Sequence, residues 1–177
     1  MKLGHLTFKP IKVDDELVPK TIALRAHENG IADDVFVVGI NPDLADTALF
    51  CKEYRVSLDI STNCLIIEAT RADKTWYSAC LILASDMADV NGIIRKALGA
   101  RKASFAPKDT ALRLTGMEYG GITPVGLPTD WAIYIDEAVM DRDVVVIGGG
   151  FRRSKIAINT RALAKLPNAQ TLDIKRA

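Results

Sequence analysis

Apolar residues fall into short runs and helical stripes that turn-forming residues separate. Ile22, Ala23, Leu24 and Ala26 give the apolar positions of a first helix, read from Asp14 to Asn29. Asp14 or Asp15 caps it and Asn29-Gly30 stops it. Val35-Phe36-Val37-Val38 is a short buried strand, and Asn41-Pro42-Asp43 opens a second helix through Lys52. The runs at Cys64–Ile67 and Tyr77–Leu83 form two sheet strands, with Arg71-Ala72-Asp73-Lys74 as the hairpin turn. Asp89 caps a helix carrying Val90, Ile93, Ile94 and Leu98, which Gly99 closes. A brief strand at Lys102–Phe105 follows, then a helix from Pro107 to Gly116. Strands at Trp131–Ile135, Val144–Ile147 and Lys155–Ile158, a helix capped by Thr160 and a strand near Leu172 complete the order. This irregular alternation predicts a mixed α/β (α+β) domain with a central, partly antiparallel sheet surrounded by helices.

No linker, low-complexity run or repeat divides the 177 residues, so residues 1–177 are expected to form a single domain. A net charge of +1 argues against holding nucleic acid by bulk electrostatics and leaves room for a local basic patch. Cys51, Cys64 and Cys80 are odd in number and lack ligand spacing, as expected of reduced thiols. With no apolar leader at Met1–His5 and no long apolar span, the expectation is a cytoplasmic protein away from membranes.

His5 and His27 stand far apart and join no zinc-spaced cluster, so no metal is expected. A serine-hydrolase elbow is absent. Gly148-Gly149-Gly150 lacks the continuation of a phosphate loop and reads as a turn with Arg152, Arg153 and Lys155 as a basic edge. Arg95, Lys96, Arg101 and Lys102 form another basic cluster; each is a solvated face or, if they converge, a hold on an RNA backbone. Asp136-Glu137 is either a site carboxylate pair or a helix cap with a first-turn acid. The segment Gly120-Gly121-Ile122-Thr123-Pro124-Val125-Gly126 exposes main-chain N–H groups that can approach a carbonyl oxygen, or it is a tight connection.

Several pieces occur in one order: the strand at Asn63–Glu68, Asp89–Ala106, Leu114-Thr115-Gly116, Gly120–Pro128, Tyr134–Glu137 and Gly148–Gly150. That ordered set resembles the YbaK/prolyl-tRNA-synthetase-associated aminoacyl-tRNA editing family, over about Glu16 to Leu172. The resemblance implies a mixed α/β domain that hydrolyses the ester between a wrong amino acid and tRNA, without cofactor. It also implies that Gly120, Gly121, Thr123 and Pro124 line the aminoacyl pocket. In the family the facing strand carries a lysine important for activity. Here the best register puts Asn63 at that place, with Cys64 next, and a one-residue slip puts Thr62 there. No lysine is available either way, and Lys74 lies beyond reach on the turn.

The expected function is a trans-acting deacylase of mischarged tRNA, no synthetase being attached. Loop N–H groups from Gly120 and Gly121 would hold the ester oxygen, and Asn63 would orient the ester or ribose. Thr62, Cys64, Thr123, Pro124, Gly126 and Asp136 would contact substrate. Losing the lysine removes a charged contact, on the order of 2–4 kcal/mol of transition-state stabilisation. The alternative is therefore a weak or inactive member that binds aminoacyl-tRNA or a small ligand. An enzyme acting on another small ester or nucleotide ranks last.

Overall fold

A computed structural model describes residues 1–176, and its longer strands fall into two sheets that meet at one joint. In chain order the elements are β1 (Lys2–Leu3), β2 (Leu6–Thr7), β3 (Lys9–Pro10), α1 (Lys20–Glu28), β4 (Val35–Gly39) and α2 (Thr47–Tyr54). Then come β5 (Thr62–Arg71), β6 (Lys74–Leu83), α3 (Arg95–Ala97), β7 (Lys102–Phe105), α4 (Lys108–Thr115) and β8 (Ala132–Asp136). The chain finishes with α5 (Glu137–Met140), β9 (Val144–Gly149), β10 (Phe151–Asn159), α6 (Thr160–Leu163) and β11 (Ala169–Leu172).

The first sheet is antiparallel in the order β3-β4-β10-β9. The second is mixed, β11-β8-β6-β5-β7, with β11, β8 and β6 parallel. A parallel bridge between Ser61 and Val146 joins them, and the Thr62 hydroxyl donates to the Val146 carbonyl at 2.9 Å beside it. The mixed α/β class is as expected, with the sheet in two parts. Beta-6 reads as a continuous apolar run because both of its faces are covered. Ala79, Leu81 and Leu83 join one core cluster, while Cys80 and Ile82 join another with Val90, Ile94 and Ile174.

Several helices differ from their sequence reading. Alpha-1 starts at Lys20 after Pro19, not near Asp14. Proline suits the helix entrance and biases the residue before it away from helical geometry, so the turn at Asp14–Val18 cannot continue into α1. Asp15 instead accepts the Leu17 N–H at 3.0 Å. Leu24, read as an apolar position, is 46% exposed, while Ile22, Ala23 and Ala26 are buried. The expected helix from Asn41 to Lys52 is split into a 3-10 turn at Pro42–Leu44 and α2. Asp46 causes the break by capping α2, its carboxylate accepting from the N–H groups of Ala48 and Leu49. The helix expected after Asp89 begins as a π-helical turn, Val90–Ile94, before α3.

Candidate functional site

The joint between the sheets opens into a cleft of about 500 Å3. One wall is the start of β5, with Thr62, Asn63 and Cys64. The opposite side has Tyr119, Gly120 and Ile122 from the loop after α4, and Lys108, Ala111 and Leu112 from α4 itself. Gly148 of β9 and Arg152 and Lys155 of β10 complete it, with Ala45, Asp46 and Thr47 at the α2 entrance. Gly148 is a glycine for a steric reason: a Cβ there would collide with the carbonyl oxygens of Gly121 and Ile122. The loop therefore lies directly on the strand.

Asn63 is held by α2. Its Oδ1 accepts from the Thr47 hydroxyl at 2.9 Å, which leaves the Nδ2 donors without a partner among the described residues. Lys155 is only 6% exposed. Its Nζ donates to the Ala45 carbonyl at 2.9 Å and lies 5.3 Å from the centre of the Phe50 ring. No carboxylate forms a salt bridge with it among the described residues. Burial lowers its pKa from 10.5 to about 8, the dominant cause being loss of hydration of the ammonium. The cleft thiol is chemically quiet, because burial pushes Cys64 well above the ordinary thiol range. Lys108, over the ring of Tyr119 at 4.2 Å, and Arg152, donating to the Tyr119 carbonyl, add positive charge at the rim. Tyr119 and Phe105 are each 58% exposed there.

A family model for the aminoacyl-tRNA editing domain matches residues 41–166. The chain belongs to that family. Among solved structures, a candidate trans-editing enzyme for prolyl tRNA synthetase is similar at 20% identity, with a TM-score of 0.76 over 89% of this chain and 96% of that one. The structure of the hypothetical protein APE2540 is similar at 19% identity and TM-score 0.77, over 88% of this chain and 99% of that one. These likenesses show a shared fold. The cleft falls within the matched segment, bounded by Ala45 at one end and Lys155 at the other.

The structure brings Thr62, Asn63, Cys64 and Gly120 together around the cleft. The Thr62 hydroxyl is committed to the sheet joint. Of the two adjacent glycines, Gly120 has φ +80° and an N–H without an acceptor among the described residues. Gly121 turns inward, its N–H donating to Glu118 O and its carbonyl accepting from Gly150 N. A Cβ on it would sit 2.8 Å from the Gly150 carbonyl oxygen, so its glycine identity serves packing. Thr123 is fully buried beneath the loop, away from the cleft lining. Pro124 and Gly126 border a separate depression of about 10 Å3, too small for an aminoacyl group. Asp136 is a cap: one carboxylate oxygen accepts from Ala138 N and the other from Ile174 N, both at 3.0 Å.

Sequence reasoning missed Lys155, Lys108 and Asp46 as cleft residues. In the sequence Lys155 reads as one basic edge with Arg152 and Arg153, yet Arg153 turns away to donate to Glu16 O. The available signal was strand alternation, which places Lys155 on the face of Ala157, a core residue. Among the described residues no group of three His, Cys, Asp or Glu side chains could hold a metal, and no helix is long and apolar enough to cross a membrane.

Proposed function

We propose that this protein is a trans-acting aminoacyl-tRNA deacylase that hydrolyses the ester of a mischarged tRNA in the cleft at the sheet joint. The observation that carries the reading is the cleft itself. It has the volume of a small-ligand site, lies within the editing-family segment and carries three cations, Lys108, Arg152 and Lys155, against one carboxylate, Asp46. That balance suits the anionic, ester-bearing end of a tRNA. The similarity to a candidate trans-editing enzyme that is nearly fully covered supports action without a synthetase in the same chain.

In this reading the aminoacyl group lies between Asn63 and the Gly120 loop. The free Nδ2 of Asn63 donates to the ester or the terminal ribose, and Gly120, whose N–H has no acceptor among the described residues, lines the same cleft. Phe105 and Tyr119 at the rim offer faces on which the terminal base can stack. Lys102, on the same edge strand as Phe105, extends the positive rim toward the tRNA body. Water is the nucleophile, and no thiolate competes because the cysteine thiols stay protonated.

Asn63 at the place of the family lysine favours a second reading, a binding protein without turnover. A deacylation assay over a panel of mischarged tRNAs separates the two. Release of an amino acid faster than in buffer supports the enzyme. Tight binding with no release from any member of the panel supports the second reading.

A further inference from the structure

A row of backbone positions crosses the joint between the sheets. Ser61 of the segment leading into β5 lies opposite Val146 of β9 in a parallel bridge, so two residues onward Asn63 and Gly148 come side by side. Gly148 in turn pairs with Lys155 of β10. Side chains two residues apart on a strand share a face. Asn63 and Lys155 therefore both project into the cleft, on either side of a glycine that contributes no side chain.

We propose that Lys155 supplies the positive charge at the scissile ester that Asn63 cannot, with its ammonium donating to the carbonyl oxygen. This assignment rests on the deacylase reading. Lys155 spends one donor on the Ala45 carbonyl, and its other two have no acceptor among the described residues. A buried ammonium without a carboxylate is costly to keep in a fold, and an apolar side chain would fill the same space. A substrate oxygen in the cleft would complete its coordination.

The step balances without redox or covalent chemistry on the protein. Water adds to the acyl carbon, and negative charge develops on the carbonyl oxygen beside Nζ. The bond from that carbon to the ribose oxygen then breaks, and the ribose oxygen leaves with a proton originating from the water. The products are a free amino acid and tRNA with its hydroxyl restored. Lys155 exchanges no proton. The ionisable groups around it are Cys51 and the Asp46 carboxylate at α2, Arg152 on its own strand and Lys108 across the cleft. Burial keeps the Cys51 thiol protonated.

The test is single-turnover deacylation of a mischarged-tRNA panel by the full chain and by Lys155→Met, with folding checked by circular dichroism. The expected result is a fall in the maximal rate on the order of 10²-fold, with little change in KM, as for a deleted oxyanion donor. Lys155→Gln, which keeps a donor without charge, is read beside it and should fall nearly as far. The advantage of wild type over either variant should shrink as pH rises through about 8. A variant that turns over like wild type, one that changes only KM, or an advantage that grows through that pH overturns the assignment. Should neither variant fold, the wild-type profile decides: a rate relative to buffer that declines above pH 8 supports the role, and one that does not overturns it. Wild type inactive on every tRNA sinks the deacylase reading itself, an outcome separate from an active enzyme indifferent to residue 155.

Discussion

Asp34 and Lys155 are both buried charges beside β10, yet one is surrounded by partners and the other is nearly bare. The Asp34 carboxylate accepts from Asn159 Nδ2 at 2.7 Å and from Arg161 at 3.0 and 2.7 Å, with Lys165 4.0 Å away. Lys155, four residues before Asn159 on the same strand, has one carbonyl and the face of an aromatic ring. Their pKa values record the difference. Hydrogen bonds from Arg161 and Asn159 hold Asp34 below its usual value and so favour its charge, whereas desolvation drives Lys155 toward its neutral form. A fully satisfied buried charge ties elements together. A buried charge left with free donors at a cleft is poised for something that arrives.

The sharpest way to break this comparison is to exchange what each charge does. Lys155→Met should cost activity and not stability. The lysine pKa is lowered on folding, so below about pH 8 the native state carries an ammonium it would rather lose, a penalty on the order of 3 kcal/mol. Between pH 8 and 10.5 the unfolded chain binds more protons, so wild-type stability rises relative to the variant. Thermal melts at pH 7 and pH 10 should show the variant's advantage narrowing at the higher pH. A variant less stable at pH 7 and equally so at pH 10 would contradict this.

Asp34→Ala should do the reverse, costing about 2 kcal/mol by loss of hydrogen bonds to a charged group and leaving deacylation intact. Denaturant titration measures it. Because the Asp34 pKa is lowered in the fold, its contribution is fully present above the ordinary value of 3.8 and is lost as pH falls through the lower native value. A wild-type stability that stays level across that acidic window would show that Asp34 is not stabilising the fold.

Asn63→Ala ranks next, with turnover expected to drop about tenfold, the worth of one neutral hydrogen bond. Unchanged turnover would remove Asn63 from the site. Adding Asn63→Lys to Lys155→Met should regain rate, since both positions face the same cleft. The smallest effect is that of salt on tRNA binding. With a net charge of +1 and few cations at the cleft rim, the slope of log affinity against log salt should be shallow. A steep slope would place many more phosphate contacts on the scattered Arg and Lys residues.

What was legible in the sequence depended on how local each cause is. The hairpin of β5 and β6 could be read because its apolar runs and polar turn lie together, and Gly116, with φ +66°, ends α4 as its position suggested. The start of α1 is set by Pro19, a local signal that outweighs the two aspartates before it. The strands β1 to β3, each two residues long, carry no pattern of their own; β3 exists because β4 pairs with it. In the site, the loop was found by its glycines, but which N–H remains free depends on Glu118 and Gly150 closing around Gly121. Asp136 showed both of its possible uses in the sequence, and the arrival of Ile174 N–H shows it serving as a cap. Lys155 reads in the sequence only as part of a basic edge because it is far from Asn63 along the chain, and the Ser61–Val146 joint is what makes them neighbours.

Gly148 couples the strand mechanically to the loop that lies on it. The carbonyls of Gly121 and Ile122 occupy the space that any side chain at 148 would need. A side chain there displaces the segment at Gly120–Ile122 with it. The two glycine segments therefore shift together or not at all, and a change at either one reshapes both sides of the cleft.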